Sequence, residues 1–363
     1  MGNKIKISFS DGPMVEIVGD KKEDYFVEFI NSKTDKVIHS STIQNNMWTK
    51  CSIKYHVPWI IRINGVVEHE LDLKGKKVKI VLNSKAVGDT IAWTPQFLEF
   101  AERYKCEVTA STFHNNWFIK NPKYKDIKFV PPGDSGAYYA IFQVGWFIGD
   151  DGKWDSNVYH PTSPNTVPLI QSATDILDLP YKEINYGLTF KPKKRPIESK
   201  YICISPHSTS GLKQWPYDYW EELAGLLNSK GYKVVDISYE DVDKKNIINK
   251  PKLSWSNTYN YLYHADYYIG LGSGLSWFNW AMDKPTLMVN NFIPYGYEFT
   301  KGLTKVEDYS VCNNCWVNKN FQFDRGDWDW CPVNKDTPLH FTCHKSIKPQ
   351  RVFNILLKLL EFE

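Results

Sequence analysis

The pattern that most constrains the fold occurs twice: short β-branched runs, each followed by a small-residue turn and then by apolar residues at helical spacing. The first pass begins at Lys76. KVKIVLNS reads as a buried strand, and GDTIAWTPQFLEFAERYK as a helix with Gly88 and Asp89 at its start; the strand-like CEVTAST, IKFVPP and YYAIFQVGWF follow. A Pro- and Lys-rich stretch at 191–198 interrupts the pattern, which then resumes. YICISPHS, YKVVDISY, DYYIGLGS and PTLMVNNF read as strands, while YDYWEELAGLLNSKG, TYNYLYHA and GLSWFNWAMD read as the helices between them. Strands alternating with helices require parallel, doubly wound sheets, so the expected fold class is α/β with two similar Rossmann-like lobes.

At 363 residues the chain exceeds one ordinary core, which agrees with two domains and an appendage. The appendage is expected over residues 1–75, where KIKISFS, MVEIVG, YFVEFINS, VIHSSTI, WIIRING and VVEHELDL are short runs broken by Gly, Asn and Asp: a small all-β module with a structural or partner-docking role. The first lobe is then 76–190, carrying the acceptor side and a catalytic base, and the second, nucleotide-sugar-binding lobe is 191–348. Residues 349–363 form an amphipathic helix with Val352, Ile355, Leu356 and Leu359 on one face, expected to pack back on the first lobe.

With 44 basic and 41 acidic residues the chain shows no basic stripe, which argues against a nucleic-acid partner even though Trp117, Phe118, Trp146 and Phe147 offer rings for stacking. No run approaches 18 apolar residues and MGNKIKISFSDG lacks a signal-peptide core, so the expectation is a cytoplasmic chain without a membrane span.

Three turns follow strands and precede helices, the places where parallel sheets bind ligands. In SKAVGDTIAW, Asp89 either caps its helix or serves as a general base, taking a proton from an attacking hydroxyl. Thr90 and Trp93 on the same helix are read as acceptor or sugar contacts. ISPHSTSGLKQWP offers Ser208, Thr209 and Lys213: hydroxyls and one compact cation suited to a departing diphosphate, or else an ordinary solvated loop. In GLGSGLSWF the glycines allow close backbone approach, and Ser273, Gly274, Leu275 and Ser276 are read as aiming amides and hydroxyls at phosphate. With Lys213 neutralising the leaving group, no Mg²⁺ is required.

Four of the seven cysteines, Cys312, Cys315, Cys331 and Cys343, fall within 32 residues. In a reducing compartment such clustering points to metal rather than disulfides, and four thiolates closing a tetrahedral site suit one structural zinc or iron ion with no position open to substrate. His344 reads as a surface residue or a support to the ligands rather than a fifth one. Asp327 and Asp329 lie within this loop and are read as loop structure or an acceptor contact.

Gly88, Asp89, Trp93 and Pro95, then Lys213, Trp215 and Pro216, then Gly274 and Leu275 resemble the bacterial heptosyltransferases of glycosyltransferase family 9. That family commonly has Asp-Thr-Gly-Leu where this chain has Gly272-Ser273-Gly274-Leu275. The segments FDRGDWDWCP, FTCHKSI, HSTSGLKQW and AVGDTIAW further resemble its autotransporter heptosyltransferase branch. The resemblance implies a GT-B fold of two Rossmann-like lobes, with an N-terminal β module and a four-cysteine iron clip over 312–343. It implies inverting transfer of heptose from ADP-heptose to serine hydroxyls of repeats in a protein acceptor, the autotransporter adhesin, with Asp89 as base, Lys213 on the diphosphate and 273–276 around ADP. A homo-oligomer is implied as well. The alternatives are a family 9-like transferase with another donor or a glycan or lipid acceptor, and a non-catalytic sugar-nucleotide sensor or scaffold.

Overall fold

The structure is a computed structural model and describes residues 2–321 and 330–361; Asp327 and Asp329 lie outside the described residues. The chain divides into two compact units, one of Met1–Lys85 with Ala92–Ile184, the other of Ala86–Ile91 with Asn185–Glu363.

The first unit begins with seven short strands: β1 (Lys4–Ser8), β2 (Met14–Val18), β3 (Tyr25–Asn31), β4 (Lys36–Ile43), β5 (Trp48–Lys50), β6 (Trp59–Ile63) and β7 (Val66–Glu70). They form two antiparallel sheets, ordered β1-β2-β5 and β4-β3-β6-β7. Alternation sets their faces: Trp59, Ile61 and Ile63 of β6 are buried while Ile60 and Arg62 between them are not. Asn64 and Gly65 join β6 to β7 with φ of 50° and 81°, the two-residue turn whose twist matches a hairpin and which favours Asn-Gly.

A parallel sheet follows, built from β8 (Lys77–Asn83), β9 (Glu107–Ser111), β10 (Lys128–Val130) and β11 (Ala140–Gly145) in the order β10-β9-β8-β11. Phe9 bridges to Ala140 of β11, so the antiparallel strands are stitched to this sheet within one compact unit. Between β8 and β9 the single helix expected from the periodicity is two, α1 (Val87–Trp93) and α2 (Gln96–Tyr104). Pro95 breaks it, because proline has no N–H for the helical ladder and its ring disfavours a helical residue before it. The last helix of the unit is α3 (Leu169–Ile176).

The second unit is built on β12 (Tyr201–Ile204), β13 (Lys233–Asp236), β14 (Ile248–Asn249), β15 (Tyr267–Gly270), β16 (Thr286–Val289) and β17 (Leu303–Val306). All pair in parallel, in the order β14-β13-β12-β15-β16-β17. Every residue of β12, β15 and β16 is buried, as expected of strands covered on both faces. Its helices are α4 (Tyr217–Ser229), α5 (Trp255–His264), α6 (Gly274–Trp280), α7 (Thr342–Lys345) and α8 (Pro349–Glu361).

The terminal helix corrects one expectation. Val352, Phe353 and Leu356 of α8 are buried in the core formed by Trp220, Leu223 and Leu227 of α4 and by Ile202, Ile269 and Leu287 of the sheet, so α8 closes the second unit itself. An amphipathic stripe shows that a face must be buried, but not against which element.

Candidate functional site

The strand order locates the site. The order in which strands are added reverses between β12 and β15, with β13 and β14 to one side and β16 and β17 to the other, and ligands of such sheets bind outside the carboxyl ends of the strands at this switch point. Two of the turns singled out in the sequence leave these two ends: Ser205–Lys213 follows β12, and Leu271–Leu275 follows β15.

After β12, Ser205 is tied to the Tyr268 hydroxyl at 2.5 Å and buried. Ser208 is half-buried and accepts the Ser210 amide at 3.3 Å, and Thr209 is exposed. Lys213, half-buried on a single 3-10 turn, has no hydrogen bond or ion pair to its ammonium among the described residues. Close by in the chain, the Tyr217 hydroxyl lies 2.5 Å from His207 Nδ1, and burial followed by the Lys244 charge pulls the His207 pKa down. At the end of β13, Asp236 and Lys244 form a buried ion pair. One acidic pair was overlooked in the sequence: Asp241 and Asp243 spell Asp-x-Asp on the following loop, both exposed, with Asp241 accepting Asn249 Nδ2 at 3.1 Å.

After β15 the glycines sit close against neighbouring groups. A Cβ on Gly272 would collide with Asn290 Nδ2 and stand 2.9 Å from Glu298 Oε1. Gly274 has the same constraint, since its Cβ would lie 2.7 Å from Val87 Cβ and 3.3 Å from the Gly88 nitrogen. Ser273 Oγ is buried without a hydrogen-bond partner among the described residues, and Leu275 is half-buried. Ser276 departs from expectation: its hydroxyl donates to the Leu271 carbonyl at 2.6 Å and its amide to Ser273 at 3.1 Å, so neither is left for a phosphate.

The third turn joins the second here. Ala86–Ile91 belongs to the second unit, and a Cβ on Gly88 would stand 2.9 Å from Trp277 Cδ1 of α6. Asp89, on the first turn of α1 and 8% exposed, directly follows the Val87–Gly88 segment that packs against the glycine turn. Burial raises the pKa of the Tyr297 phenol beyond the ordinary tyrosine range, and the negative charges of Glu298 and Asp89 add to the effect. Neither of Asp89's helix neighbours serves as a surface contact. Thr90 is fully buried and donates to the Ala86 carbonyl at 2.9 Å, and Trp93 is fully buried in the first unit, its indole N–H bonded to the Leu169 carbonyl at 2.6 Å. Trp117 and Phe118, considered for base stacking, are core residues as well.

The cysteines are reduced and close in space. Burial first, and then the neighbouring Cys312 and Cys331, raise the pKa of the Cys315 thiol to about 11 and that of Cys343 to about 12, with Cys315 also acting on Cys343. Asn334 donates its amide to Cys331 Sγ at 3.2 Å. Among the described residues, however, no group of three or more His, Cys, Asp or Glu side chains is arranged to hold a metal ion. The thiols converge to electrostatic reach and stop short of a ligand set. His344 is buried rather than superficial, its Nε2 2.5 Å from the Leu212 carbonyl.

A parallel sheet in this order, with a lysine-bearing turn and a glycine turn at its switch point, defines a doubly wound α/β protein with its candidate ligand site at that point. The sequence profile of glycosyltransferase family 9 (heptosyltransferase) matches residues 165–322. Over most of its length the chain is similar to autotransporter heptosyltransferases. Among its relatives are the inactive autotransporter heptosyltransferase BimC of Burkholderia thailandensis, 26% identical over 96% of this chain and 84% of that protein, and the autotransporter heptosyltransferase Aah of Escherichia coli, 27% identical over 92% and 88%. The crystal structure of TibC from enterotoxigenic E. coli, described as an iron-containing dodecameric glycosyltransferase, matches with a TM-score of 0.87 at 27% identity, covering 98% of this chain and 95% of that one. Its complex with ADP-D-β-D-heptose matches with a TM-score of 0.86 at 26% identity, covering 99% and 97%. The fold is thus the GT-B-like α/β heptosyltransferase fold. No helix among the described residues is long and apolar enough to cross a membrane.

Proposed function

We propose that this chain is an inverting glycosyltransferase that moves heptose from ADP-heptose to serine hydroxyls of a protein acceptor of the autotransporter type. The observation that carries the reading is the packing of the Asp89 turn against the glycine turn at the switch point of the second unit, in a chain that matches TibC over nearly its whole length. In this mechanism Asp89 accepts the proton of the serine hydroxyl as its oxygen attacks the anomeric carbon, and the bond from that carbon to the diphosphate oxygen breaks. Lys213, whose ammonium is uncommitted, and the Ser273 hydroxyl take up the charge of the departing ADP. A group that both binds and compensates the leaving diphosphate does the work for which other transferases recruit Mg²⁺.

The TibC structure is described as iron-containing, and the four clustered thiols Cys312, Cys315, Cys331 and Cys343 are the donors this reading assigns to such an ion here. Burial first, and then neighbouring cysteines, raise the pKa of the Cys312, Cys315 and Cys343 thiols, a cost of gathering thiolates that a bound cation reverses. Held there, an iron ion would supply charge and cross-link the segment structurally; zinc suits the same donors. A homo-oligomer and a cytoplasmic location complete the reading, supported by the dodecameric relative and by the seven unpaired cysteines.

The inactive relative BimC gives a second reading specific support: a sugar-nucleotide-binding protein without turnover. The two are separated by intact-mass analysis of a serine-rich autotransporter fragment after incubation with ADP-heptose, with Asp89→Asn run alongside. A heptose-sized increment that the variant fails to produce supports the transferase. ADP binding without any increment supports the binder.

A further inference from the structure

Glu298 has no part in the chemistry above, yet it is 6% exposed and sits at the site. Its Oε2 accepts the Trp277 indole N–H at 2.5 Å, and its Oε1 faces Gly272. Trp277 is held on its other sides by Trp280 and Phe299, both edge-on, with ring centroids 5.4 and 5.1 Å away. Three residues before it on α6 is Gly274, so the two project from one face of the helix. That face carries the start of α1: Val87 lies over Gly274, and Gly88 lies over the indole, where a Cβ would meet Cδ1 at 2.9 Å and Nε1 at 3.5 Å. The indole edge that Glu298 grips is thus the edge on which the residue before Asp89 rests.

We propose that Glu298 is a positioning residue for Asp89, acting through Trp277: the carboxylate fixes the indole, and the indole fixes the backbone from which the base projects. The proposal rests on the reading of Asp89 as the base. A buried charge-assisted hydrogen bond is directional enough to hold a ring in one rotamer. Its loss frees the indole to move, and a displacement of about 1 Å at a reacting group costs on the order of 100-fold in rate.

The test compares kcat, KM for ADP-heptose, ADP binding and Tm in the wild type, Glu298→Gln, Glu298→Ala, Asp89→Asn and the Asp89→Asn/Glu298→Ala pair. Glu298→Ala is expected to lower kcat roughly 10- to 100-fold with KM and ADP binding within about twofold. Glutamine, whose amide oxygen still accepts the indole N–H, restores most of the loss. The double variant turns over no more slowly than Asp89→Asn alone, because a residue acting only through the base adds nothing once the base is gone. Wild-type kcat in Glu298→Ala, equal damage from Gln and Ala, or full additivity in the double variant overturns the proposal. Should Glu298→Ala fail to fold, Trp277→Phe carries the test: it keeps a ring against Gly88 without the N–H, and an undiminished kcat refutes the idea. Absence of turnover in the wild type, or full turnover in Asp89→Asn, overturns the underlying reading and this proposal with it. Turnover lost in Asp89→Asn and kept in Glu298→Ala overturns this proposal alone.

Discussion

Substituting Gly274 by alanine introduces one methyl group where two turns meet. That methyl would stand 2.7 Å from Val87 Cβ and 3.3 Å from the Gly88 nitrogen. Carbon atoms pack at about 3.5–4.0 Å, so the Val87 contact is short by roughly 1 Å and something must shift. Neither partner is the far end of a flexible side chain: one is a Cβ and the other backbone, so the first residues of α1 move, and Asp89 with them. Overpacking of this kind costs about 1–3 kcal/mol, and for a unit of this size each kcal/mol lowers Tm by about 2–4 °C. Catalysis should suffer more than stability, with kcat down on the order of 100-fold, since the displaced group is the base. Steady-state kinetics on a serine-rich acceptor fragment, with Tm and ADP binding measured in parallel, check the expectation. Gly225→Ala is the control: it lies within α4, where the nearest neighbour of a new Cβ is Asn246 Nδ2 at 3.6 Å. Ordinary contact and better helix propensity predict a gain of roughly 0.5–1 kcal/mol there and no change in kcat. Wild-type kcat in Gly274→Ala would refute the claim that this contact sets the position of Asp89.

Lys213→Ala removes a charge that no described group shares, so Tm should hold while ADP affinity falls roughly 10- to 100-fold, the worth of a hydrogen bond to a charged group, by calorimetry. Replacing Cys343 with serine should lower the iron content measured by elemental analysis and lower Tm; full metal retention would remove Cys343 from the ligands. His160 is buried with Nε2 2.9 Å from the Gly145 carbonyl, and burial pulls its pKa down to about 4. A folded-state pKa below the unfolded value of about 6.5 means that the unfolded chain binds the extra proton, so this contribution is whole above pH 6.5 and is lost as pH falls toward 4. His160→Gln should flatten that limb of a Tm-against-pH curve.

Much of the architecture was legible because it is local. Buried strands announce themselves as uninterrupted β-branched runs, and both parallel sheets lie where alternation with helices put them. Asp89, Lys213 and the Gly272–Gly274 turn could be singled out as candidates because each sits between a strand and a helix, and that is a pattern in sequence. Pro95 was a readable signal that the helical periodicity around it concealed. Ser276 was misread because a hydroxyl in a phosphate-like turn looks the same whether it faces a ligand or the Leu271 carbonyl. Glu298 left no signal, since no spacing links it to a tryptophan 21 residues earlier.

The sequence by itself determined the elements, the doubly wound class, the turns able to carry chemistry and the cluster of four thiols, all of which depend on neighbours within a few residues. Tertiary structure alone decided the strand order that creates the switch point, the inclusion of Ala86–Ile91 in the second unit, and the burial of α8 beside α4. It likewise decided that Gly88 rests on the Trp277 ring and that Gly274 sits against Val87 and the Gly88 backbone, contacts that leave little room for a Cβ. Each of these is a contact between residues far apart in the chain, selected by which apolar faces and backbone surfaces fit together, and periodicity carries no information about a partner.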